Sequence, residues 1–344
     1  MSLNKAELPM DEHTGFKDQI ERSVRYLRVS VTDRCNFRCV YCHPTENWVP
    51  TERDNILTLE EISRFVGWMV RGGVRKVRLT GGEPLIRKGI VDLVQALKRI
   101  PGLDELVMTT NGFLLDRFAV QLREAGLDRL NVSLDTLDKQ GFEALVKGGT
   151  LEGVLSGLDA AEGAGFTDTR INAVLLRDVP VAQRLQLAEY CWSKGFTPRF
   201  IEMMPIGGLD YQSDRSLLTS SELVTDISNR HPLRLEDTAG GLSGPAKYWV
   251  VKSGAFKGKR LGTISPMSDH HFCGTCNRAR LTVSGGFRGC LGSDSEVQLL
   301  QDIRTGAKTA CLARVREALS RKLPSHLMSE PGFVPLSAMT GIGG

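Results

Sequence analysis

The middle of the chain alternates short β-branched runs with amphipathic helical stretches six times. The predicted strands are, in chain order, residues 27–31, 76–79, 105–109, 129–134, 170–175 and 198–202. No hairpin signal separates them, so a helical crossover follows each strand and the sheet is parallel. Six units are too few to close an eight-stranded barrel. We therefore predict an α/β fold with an incomplete (β/α)6 TIM-type barrel, and an open flavodoxin-like sheet is the alternative.

The chain divides into three predicted segments. Residues 1–24 carry acidic side chains and no apolar stretch typical of a signal peptide, so we interpret them as a flexible leader. Residues 25–209 contain the six strand–helix units and form the predicted partial barrel. In residues 210–344 glycine and serine increase and the periodicity weakens. We expect this last region to cover the open side of the barrel.

Composition narrows the classes of function. Lys and Arg number 44 against 40 Asp and Glu, and a formal charge of +4 is too small to indicate nucleic-acid binding by itself. No run approaches the roughly 18 consecutive apolar residues of a membrane span. We therefore expect a cytoplasmic protein with neither a membrane nor a nucleic acid as partner.

Six of the eight cysteines fall into two tight groups, which is ligand spacing and not a disulfide framework. The first cysteine group consists of Cys35, Cys39 and Cys42 and follows the first predicted strand. Three thiols this close can hold one face of an iron–sulfur cube, whereas a cluster that only carries electrons normally takes four. The iron left open is where a small molecule can bind. Zinc is the alternative, although this spacing differs from paired CxxC arms.

The second cysteine group consists of Cys273, Cys276 and Cys290. It allows two interpretations. Three thiolates could again leave one iron open, here for a substrate, or His270 or His271 could complete a structural zinc site. The two remaining cysteines, Cys191 and Cys311, lie on predicted helices, and we interpret them as small buried apolar side chains.

Polar and glycine-rich residues follow most of the predicted strands. Gly81-Gly82-Glu83-Pro84 follows the second, Thr109 ends the third, Ser133 ends the fourth, and Met204 follows the sixth. Because the carboxyl ends of parallel strands meet at one edge, we expect a ligand there. Two glycines let the backbone approach that ligand closely, and Glu83 offers a carboxylate to an ammonium group.

Arginines recur on the predicted strands. If their segment is extended, Arg278 and Arg280 project to the same face and suit bidentate recognition of phosphate. The strands of the barrel carry four more, Arg28, Arg78, Arg170 and Arg199. So many cations around one mouth predict a polyanion larger than a single phosphate. No Walker loop competes for it, since the nearest match, residues 254–260, is one residue short and lacks Ser or Thr.

The cysteine pattern and the Gly-Gly-Glu-Pro motif together resemble a known superfamily. Cys35-x3-Cys39-x-Tyr41-Cys42 followed by residues 81–84 resembles the radical S-adenosylmethionine (SAM) superfamily. With the second cysteine group, residues 277–280 and the terminal Gly343-Gly344, the chain resembles the GTP 3′,8-cyclase family from about Tyr26 to Gly344. The resemblance implies two 4Fe–4S clusters, one binding SAM and one binding substrate. It implies that a 5′-deoxyadenosyl radical takes hydrogen from ribose C3′ of GTP, and that C3′ then adds to guanine C8.

The resemblance also implies roles by position. SAM-contacting positions are Tyr41, Gly82, Ser133 and Met204, to which the motif adds Glu83. GTP-contacting positions are Arg28, Arg78, Thr109, Arg170, Arg278 and Arg280, to which the sixth strand adds Arg199. We expect Arg278, Arg280, Gly343 and Gly344 to take part in catalysis. Where this chain has Arg170 the family more often has Lys, which keeps the charge but changes the geometry.

The resemblance implies a place in molybdenum cofactor biosynthesis. A cyclic pyranopterin monophosphate synthase would act on the product, and a flavodoxin- or ferredoxin-type protein would donate electrons. A homodimer is compatible with this prediction. Two alternatives stay open: another two-cluster radical SAM enzyme, such as a peptide-modifying maturase, and a zinc-stabilised nucleotide- or RNA-binding module.

Overall fold

The protein is described by a computed structural model that covers residues 15–42, 49–206, 217–236, 244–293, 295–328, 330, 333 and 339–342. Gly343, Gly344 and the expected domain boundary at residues 209 and 210 lie outside these residues. The boundary therefore stays a prediction.

Six parallel strands form the centre of the molecule. They are β1 (Tyr26–Ser30), β2 (Lys76–Thr80), β3 (Glu105–Thr110), β4 (Arg129–Ser133), β5 (Arg170–Leu175) and β6 (Thr197–Glu202). Each pairs in parallel with the next in chain order. All six strands were predicted, and the fold class, an incomplete (β/α)6 barrel, is confirmed.

Helices connect these strands and cover the convex face of the sheet. They are α1 (Leu59–Arg71), α2 (Ile90–Lys98), α3 (Leu115–Glu124), α4 (Lys139–Leu145), α5 (Leu151–Gly163) and α6 (Val181–Ser193). A capping box begins α1, since Thr58 accepts from the Glu61 amide and Glu61 accepts from the Thr58 amide. The helix then buries Phe65 and Met69 in the core. None of the described helices is long and apolar enough to cross a membrane.

The C-terminal region adds strands to both edges of the same sheet. Its elements are α7 (Ser220–Ser228), β7 (Leu233–Leu235), β8 (Lys247–Val251), β9 (Arg260–Ile264), β10 (Arg278–Leu281), β11 (Gly286–Arg288), β12 (Val297–Gln298), α8 (Leu300–Thr305), α9 (Lys308–Ser320) and α10 (Met339–Ile342). Over the described residues the order is β12-β11-β10-β1-β2-β3-β4-β5-β6-β9-β8-β7. Strand β10 pairs in parallel with β1, and β9 pairs in parallel with β6. The region therefore reaches the open side of the barrel from both edges.

One buried amide shows how strongly the sheet curves. With its oxygen turned toward them, Asn131 on β4 accepts from Arg78 on β2, at 2.5 Å, and from Arg199 on β6. Strands β2 and β6 are four positions apart, and about 4.8 Å per position would separate them by roughly 19 Å in a flat sheet. Their side chains meet because the sheet is rolled into a partial barrel.

The described part of the predicted leader is packed against the fold. Phe16 and Val24 are each 1% exposed, and Arg22 is buried beside Asp18. Arg22 donates to the carbonyl oxygens of Cys273 at 2.6 Å and Pro324 at 2.8 Å. Residues 15–24 are therefore part of the folded structure, which differs from the flexible leader that the acidic composition suggested.

Candidate active site

The first cysteine group lies in the loop at the carboxyl end of β1. Phe37 anchors this loop, since its ring is 3% exposed and meets the rings of Phe113 and Phe142 edge-on, with centroids 5.7 and 6.3 Å away. The backbone of the loop is held by bonds from the Arg38 amide to Lys147 O and from the Val40 amide to Leu145 O. The three cysteines of this loop are half-buried.

The three thiols of this group influence one another. Burial raises the pKa of Cys35 to about 11 and the pKa of Cys42 to about 12, and it raises the pKa of Cys39 further. For Cys39 and Cys42 the charge of neighbouring thiols adds to the rise. The loop therefore brings the three sulfur atoms together in a partly dry environment, where metal ligation would deprotonate them.

The predicted Gly81-Gly82 motif lies against the cysteine loop. The Gly82 amide donates to Thr32 O at 2.7 Å, and the Glu83 amide donates to Arg34 O at 2.8 Å. A Cβ atom on Gly82 would lie 2.0 Å from Arg34 O, and one on Gly81 would lie 2.4 Å from Thr32 O. Glycine is therefore needed here because two backbones touch, as well as for any approach to a ligand.

Glu83 is 1% exposed, and its carboxylate joins two loops of the rim. It accepts hydrogen bonds from the Leu85 amide at 3.0 Å, the Thr110 hydroxyl at 2.8 Å and the Asn111 amide at 2.7 Å. Burial raises its pKa to about 7, against the effect of these three donors. The observed contacts give Glu83 a role in loop geometry, and its contact with SAM stays a prediction.

The other predicted SAM-contacting residues lie at the same edge. Tyr41 donates its hydroxyl to Asp135 at 2.6 Å, and Asp135 also accepts from the Val174 amide at 2.8 Å. Ser133 ends β4 and is half-buried. Met204 follows β6 and packs in a small apolar cluster with Ile206, Met267, Leu291, Met328 and Phe333. The structure thus brings these positions to one edge, and their contact with SAM stays a prediction.

The second cysteine group lies at the opposite end of the strands. Cys276 precedes β10, which runs parallel to β1, so it lies at the amino end of the sheet. Cys290 follows β11, which is antiparallel to β10, and so returns to that end. The five residues of β1, at roughly 3.3 Å each, separate the two ends by about 17 Å. The carboxyl edge expected for the first cysteine loop and the strand-end motifs therefore does not include the second cysteine group.

Charges differ around the members of the second group. Burial raises the pKa of Cys273, and the charges of Cys290 and Cys276 add to the rise. At Cys276 burial acts in the same direction, but Arg278 and Lys322 outweigh it and lower the pKa to about 6. His270 and His271, the zinc ligands of the alternative, are both exposed. Among the described residues no three His, Cys, Asp or Glu side chains are placed to hold a single metal ion.

Four of the predicted arginines line the interior of the barrel between the two cysteine groups. Arg28 pairs in register with Arg280 on one side and with Arg78 on the other. Arg78 donates to the Thr109 hydroxyl at 2.9 Å, and Arg199 donates to the Asn172 amide oxygen at 3.0 and 2.5 Å. These partners are uncharged. The interior therefore concentrates positive charge, and the Arg78 and Arg199 contacts described here do not neutralise it.

Several buried guanidinium atoms among the described residues have no hydrogen-bond partner. They include Nε of Arg28 and Nε of Arg170. Burial lowers the pKa of Arg28 well below its usual value, and the nearby charges of Arg280, Arg78 and Arg278 lower it further. Arg170 lies near the amino end, 3.3 Å from Asp168 and 5.7 Å from the centroid of the Tyr248 ring. A buried donor without an acceptor is costly, so the site fits an anionic ligand.

The C-terminal helix reaches this interior. Arg280 donates to the carbonyl oxygen of Ile342 at 3.1 Å, and Ile342 is 5% exposed. Gly343 and Gly344 follow directly but lie outside the described residues. The role of Gly343 and Gly344 in catalysis stays a prediction. The hydrogen bond between Arg280 and the preceding residue, Ile342, is the structural observation that supports it.

Several residues at the site escaped the sequence prediction. Asn131 and Lys322 lie outside the motifs described above. Glu202, at the end of β6, is fully buried and accepts from the Ser220, Met267 and Ser268 amides. It thereby fixes the loop that leads to the second cysteine group. The sequence signal that could have indicated a structural role for Glu202 is its position as a carboxylate at the end of an apolar strand.

The molecule has clear relatives among known proteins. Residues 29–191 match the model of the Radical SAM superfamily, and residues 196–328 match that of Molybdenum Cofactor Synthesis C. The chain is 43% identical over 334 residues to GTP 3′,8-cyclase 1 of Pseudomonas aeruginosa, with 96% of this chain and 99% of that protein covered. The chain belongs to the GTP 3′,8-cyclase family. It is also 41% identical over 332 residues to GTP 3′,8-cyclase of Pelotomaculum thermopropionicum, covering 96% of this chain and all of that protein.

A solved structure supports the fold of this family member. Streptococcus suis SuiB bound to S-adenosylmethionine aligns with a TM-score of 0.58 and 14% identity, over 86% of this chain and 68% of that chain. At such low identity the likeness concerns the fold alone. Membership of the radical SAM superfamily, together with the first cysteine group, indicates the use of SAM and an iron–sulfur cluster.

Proposed function

We propose that this chain is a radical SAM lyase that converts GTP to (8S)-3′,8-cyclo-7,8-dihydroguanosine 5′-triphosphate. The observation that carries the proposal is the cationic interior of the barrel, which lies between two cysteine groups at opposite ends of β1. A substrate held there can contact both ends at once. The name of the relatives, GTP 3′,8-cyclase, supplies the identity of the anion, and the buried arginine donors fit a triphosphate.

The residues present fit two iron–sulfur clusters. Each cysteine group supplies three thiols whose charges act on one another, and three thiolates leave one iron free for a small molecule. The first group would hold the cluster that binds SAM, and the second would hold the cluster that binds the guanine. When bound, SAM and the first cluster supply the one-electron chemistry that removes the ribose C3′ hydrogen of GTP.

The chain itself binds, orients and encloses the substrate. Arg28, Arg78 and Arg280 point from three adjacent strands and neutralise the triphosphate, while the Asn131 amide oxygen accepts from both Arg78 and Arg199 and fixes the positions of their guanidiniums. Asn111 donates toward the Cys35 sulfur at 3.9 Å and helps to fix the first cysteine loop. Tyr41 fixes the other end of this loop through Asp135.

The chemistry also implies partners. The cyclised nucleotide would pass to a cyclic pyranopterin monophosphate synthase, and the first cluster would receive its electron from a flavodoxin- or ferredoxin-type protein. We propose a cytoplasmic location for the reaction, and a homodimer is compatible with the fold.

The experiment that tests the proposal is anaerobic reconstitution with iron and sulfide, followed by incubation with SAM, reductant and GTP. Wild-type protein is expected to form the cyclised nucleotide, with 5′-deoxyadenosine released in step with it. Cys39→Ser should abolish both products. Cys273→Ser should allow SAM cleavage but prevent cyclisation, since only the second group is changed. Wild-type product formation by Cys273→Ser would contradict the assigned role of the second group, and zinc in place of iron would favour the nucleotide-binding module.

A further inference from the structure

Lys322 lies directly behind the second cysteine group. Its side chain is 2% exposed. The ammonium donates to Arg278 O at 2.9 Å and to Cys276 O at 3.4 Å, and it lies 3.5 Å from the Cys276 sulfur. An ammonium at this distance can donate a hydrogen bond to a thiolate. A buried lysine is therefore in direct contact with a predicted cluster ligand.

The charges around Lys322 do not balance without an anion at Cys276. Lys322 and Arg22 share one carboxylate, that of Asp18, at 3.9 and 2.5 Å, and the Asp18 side chain is fully buried. The remaining hydrogen bonds of Arg22 go to the carbonyl oxygens of Cys273, Leu323 and Pro324. Two cations and one carboxylate leave an excess positive charge in a dry region, where isolated charges are costly. A thiolate or an anionic cluster would compensate it.

Several chain segments hold the lysine in this position. The Gln19 side chain donates to the Lys322 carbonyl at 2.8 Å. Gly289, which precedes Cys290, lies against the aliphatic part of Lys322, and a Cβ atom there would meet the Lys322 Cβ at 3.2 Å. The side chain thus passes between the loop that carries Cys276 and the loop that carries Cys290. Its position depends on residues from both ends of the chain.

We propose that Lys322 is a positioning residue for the second iron–sulfur cluster, and that its ammonium donates to the Cys276 sulfur and raises the reduction potential of that cluster. The inference rests on the proposed function, because it requires a cluster at the second cysteine group. Hydrogen bonds to the sulfurs and nearby charge both set the potential of such clusters. A cation favours the reduced state, which carries one more negative charge.

The test compares Lys322→Met, which keeps the aliphatic stem, with Lys322→Arg, which keeps a cation. Arg184→Met is the matched control, since Arg184 is equally buried and pairs with Asp226, 3.4 Å away, far from both cysteine groups in sequence. Each reconstituted full-length protein is assayed for iron and titrated with reductant under EPR detection. The signal lost in Cys273→Ser identifies the second cluster, and the remaining signal, from the first cluster, is an internal reference.

We expect Lys322→Met to lower the potential of the second signal alone. At a fixed potential the ratio of reduced to oxidised second cluster should fall about tenfold, which corresponds to about 59 mV for one electron. Arg184→Met should leave both signals at their wild-type potentials, and Lys322→Arg should remain near wild type. A role limited to holding the two carbonyl oxygens would not move the potential, so an unchanged second signal in Lys322→Met overturns the proposal.

The remaining outcomes are also decisive. If Lys322→Met loses the second cluster altogether, the result for Lys322→Arg decides. Retention of the cluster in Lys322→Arg would support the role of the cation, and loss of the cluster in Lys322→Arg as well would contradict it. Wild-type protein with about eight irons confirms the starting point of two clusters. About four irons, with none lost in Cys273→Ser, would refute the second cluster itself and the proposed function with it. An intact second cluster with an unshifted potential would refute only the role of Lys322.

Discussion

Tyr26 illustrates how single residues acquire unusual properties in this interior. Its hydroxyl accepts a hydrogen bond from Arg78, and its side chain is buried at the amino end of β1. Burial acts to raise the pKa of the phenol, but Arg78, Arg28, Lys76 and Arg199 outweigh it and lower the pKa to about 8. The effect of the four cations thus exceeds that of desolvation.

This shift predicts a pH-dependent contribution to stability. The unfolded phenol has a pKa of about 10, so between pH 8 and 10 the unfolded state binds more protons and stability rises with pH. Wild-type protein should gain up to about 3 kcal/mol over Tyr26→Phe across this range, and the gain should vanish as the pH falls through 8. Urea unfolding at a series of pH values measures the difference.

Tyr190→Phe is the control for that measurement, because burial raises the pKa of Tyr190 to about 12. Its stability difference should stay nearly flat between pH 8 and 10. A flat difference for Tyr26→Phe as well would show that the surrounding arginines do not stabilise its phenolate.

Among the secondary structure elements, those built on local patterns were predicted well. The capping box of Thr58 and Glu61 predicted the start of α1. The β-branched runs predicted β1 to β6, and each of these strands pairs with the next one in the sequence. Cys191 and Cys311 lie in α6 and α9 and are fully buried, as expected for small apolar side chains.

Elements that depend on distant pairing were not predicted. Strand β10 has only four residues, and its partner β1 lies near the other end of the chain. Nothing local indicates that Arg280 pairs with Arg28. The spacing of the cysteines showed that they form two groups. It did not show that the two groups lie at opposite ends of the strands, because this depends on the pairing of β10 with β1.

The close contact between the loop from β2 to α2 and the first cysteine loop leads to a steric prediction. Gly82→Ala would place a methyl group 2.0 Å from Arg34 O and force the Gly-Gly loop away from the cysteine loop. We expect a loss of about 1–3 kcal/mol in unfolding free energy and weaker binding of SAM. Urea unfolding and equilibrium dialysis with labelled SAM measure the two effects.

Gly163→Ala is the matched control, since Gly163 ends α5 and an added Cβ meets no atom within 4 Å. It should be neutral or stabilising by up to about 1 kcal/mol. Equal behaviour of the two variants would contradict the close contact between the loops.

For the whole molecule, the fold places different chemistry at the two ends of one set of strands. The first cysteine group follows β1 and the second precedes β10, its parallel neighbour, while the arginines lie along the strands between them. The N-terminal residues 15–24 and α10 close the structure around the second group and the interior. Sequence motifs identified the cysteine groups and the arginines, but only the sheet order and register show how the strands that carry them are arranged.

The position of α10 leads to a prediction about the C-terminus. Because Arg280 binds Ile342 O, deletion of Gly343 and Gly344 removes the two residues that follow this contact in the sequence. We expect stability to change by less than about 0.5 kcal/mol, while the rate of GTP cyclisation falls on the order of 100-fold. Thermal unfolding and product formation measure the two quantities separately.

Gly341→Ala serves as the control for the deletion, since an added methyl group there meets no atom within 4 Å. It should cyclise GTP at a rate close to that of the wild type. Full activity of the deletion variant would mean that the last two residues take no part in catalysis.

The central claim is that the barrel holds GTP so that its ribose C3′ faces the SAM end while its guanine faces the second cysteine group. The most direct measurement uses GTP that carries deuterium at C3′ and determines the mass of the 5′-deoxyadenosine released under anaerobic conditions. We predict 5′-deoxyadenosine that has gained deuterium from the substrate. Unlabelled 5′-deoxyadenosine, formed together with a nucleotide that keeps its C3′ deuterium, would contradict it.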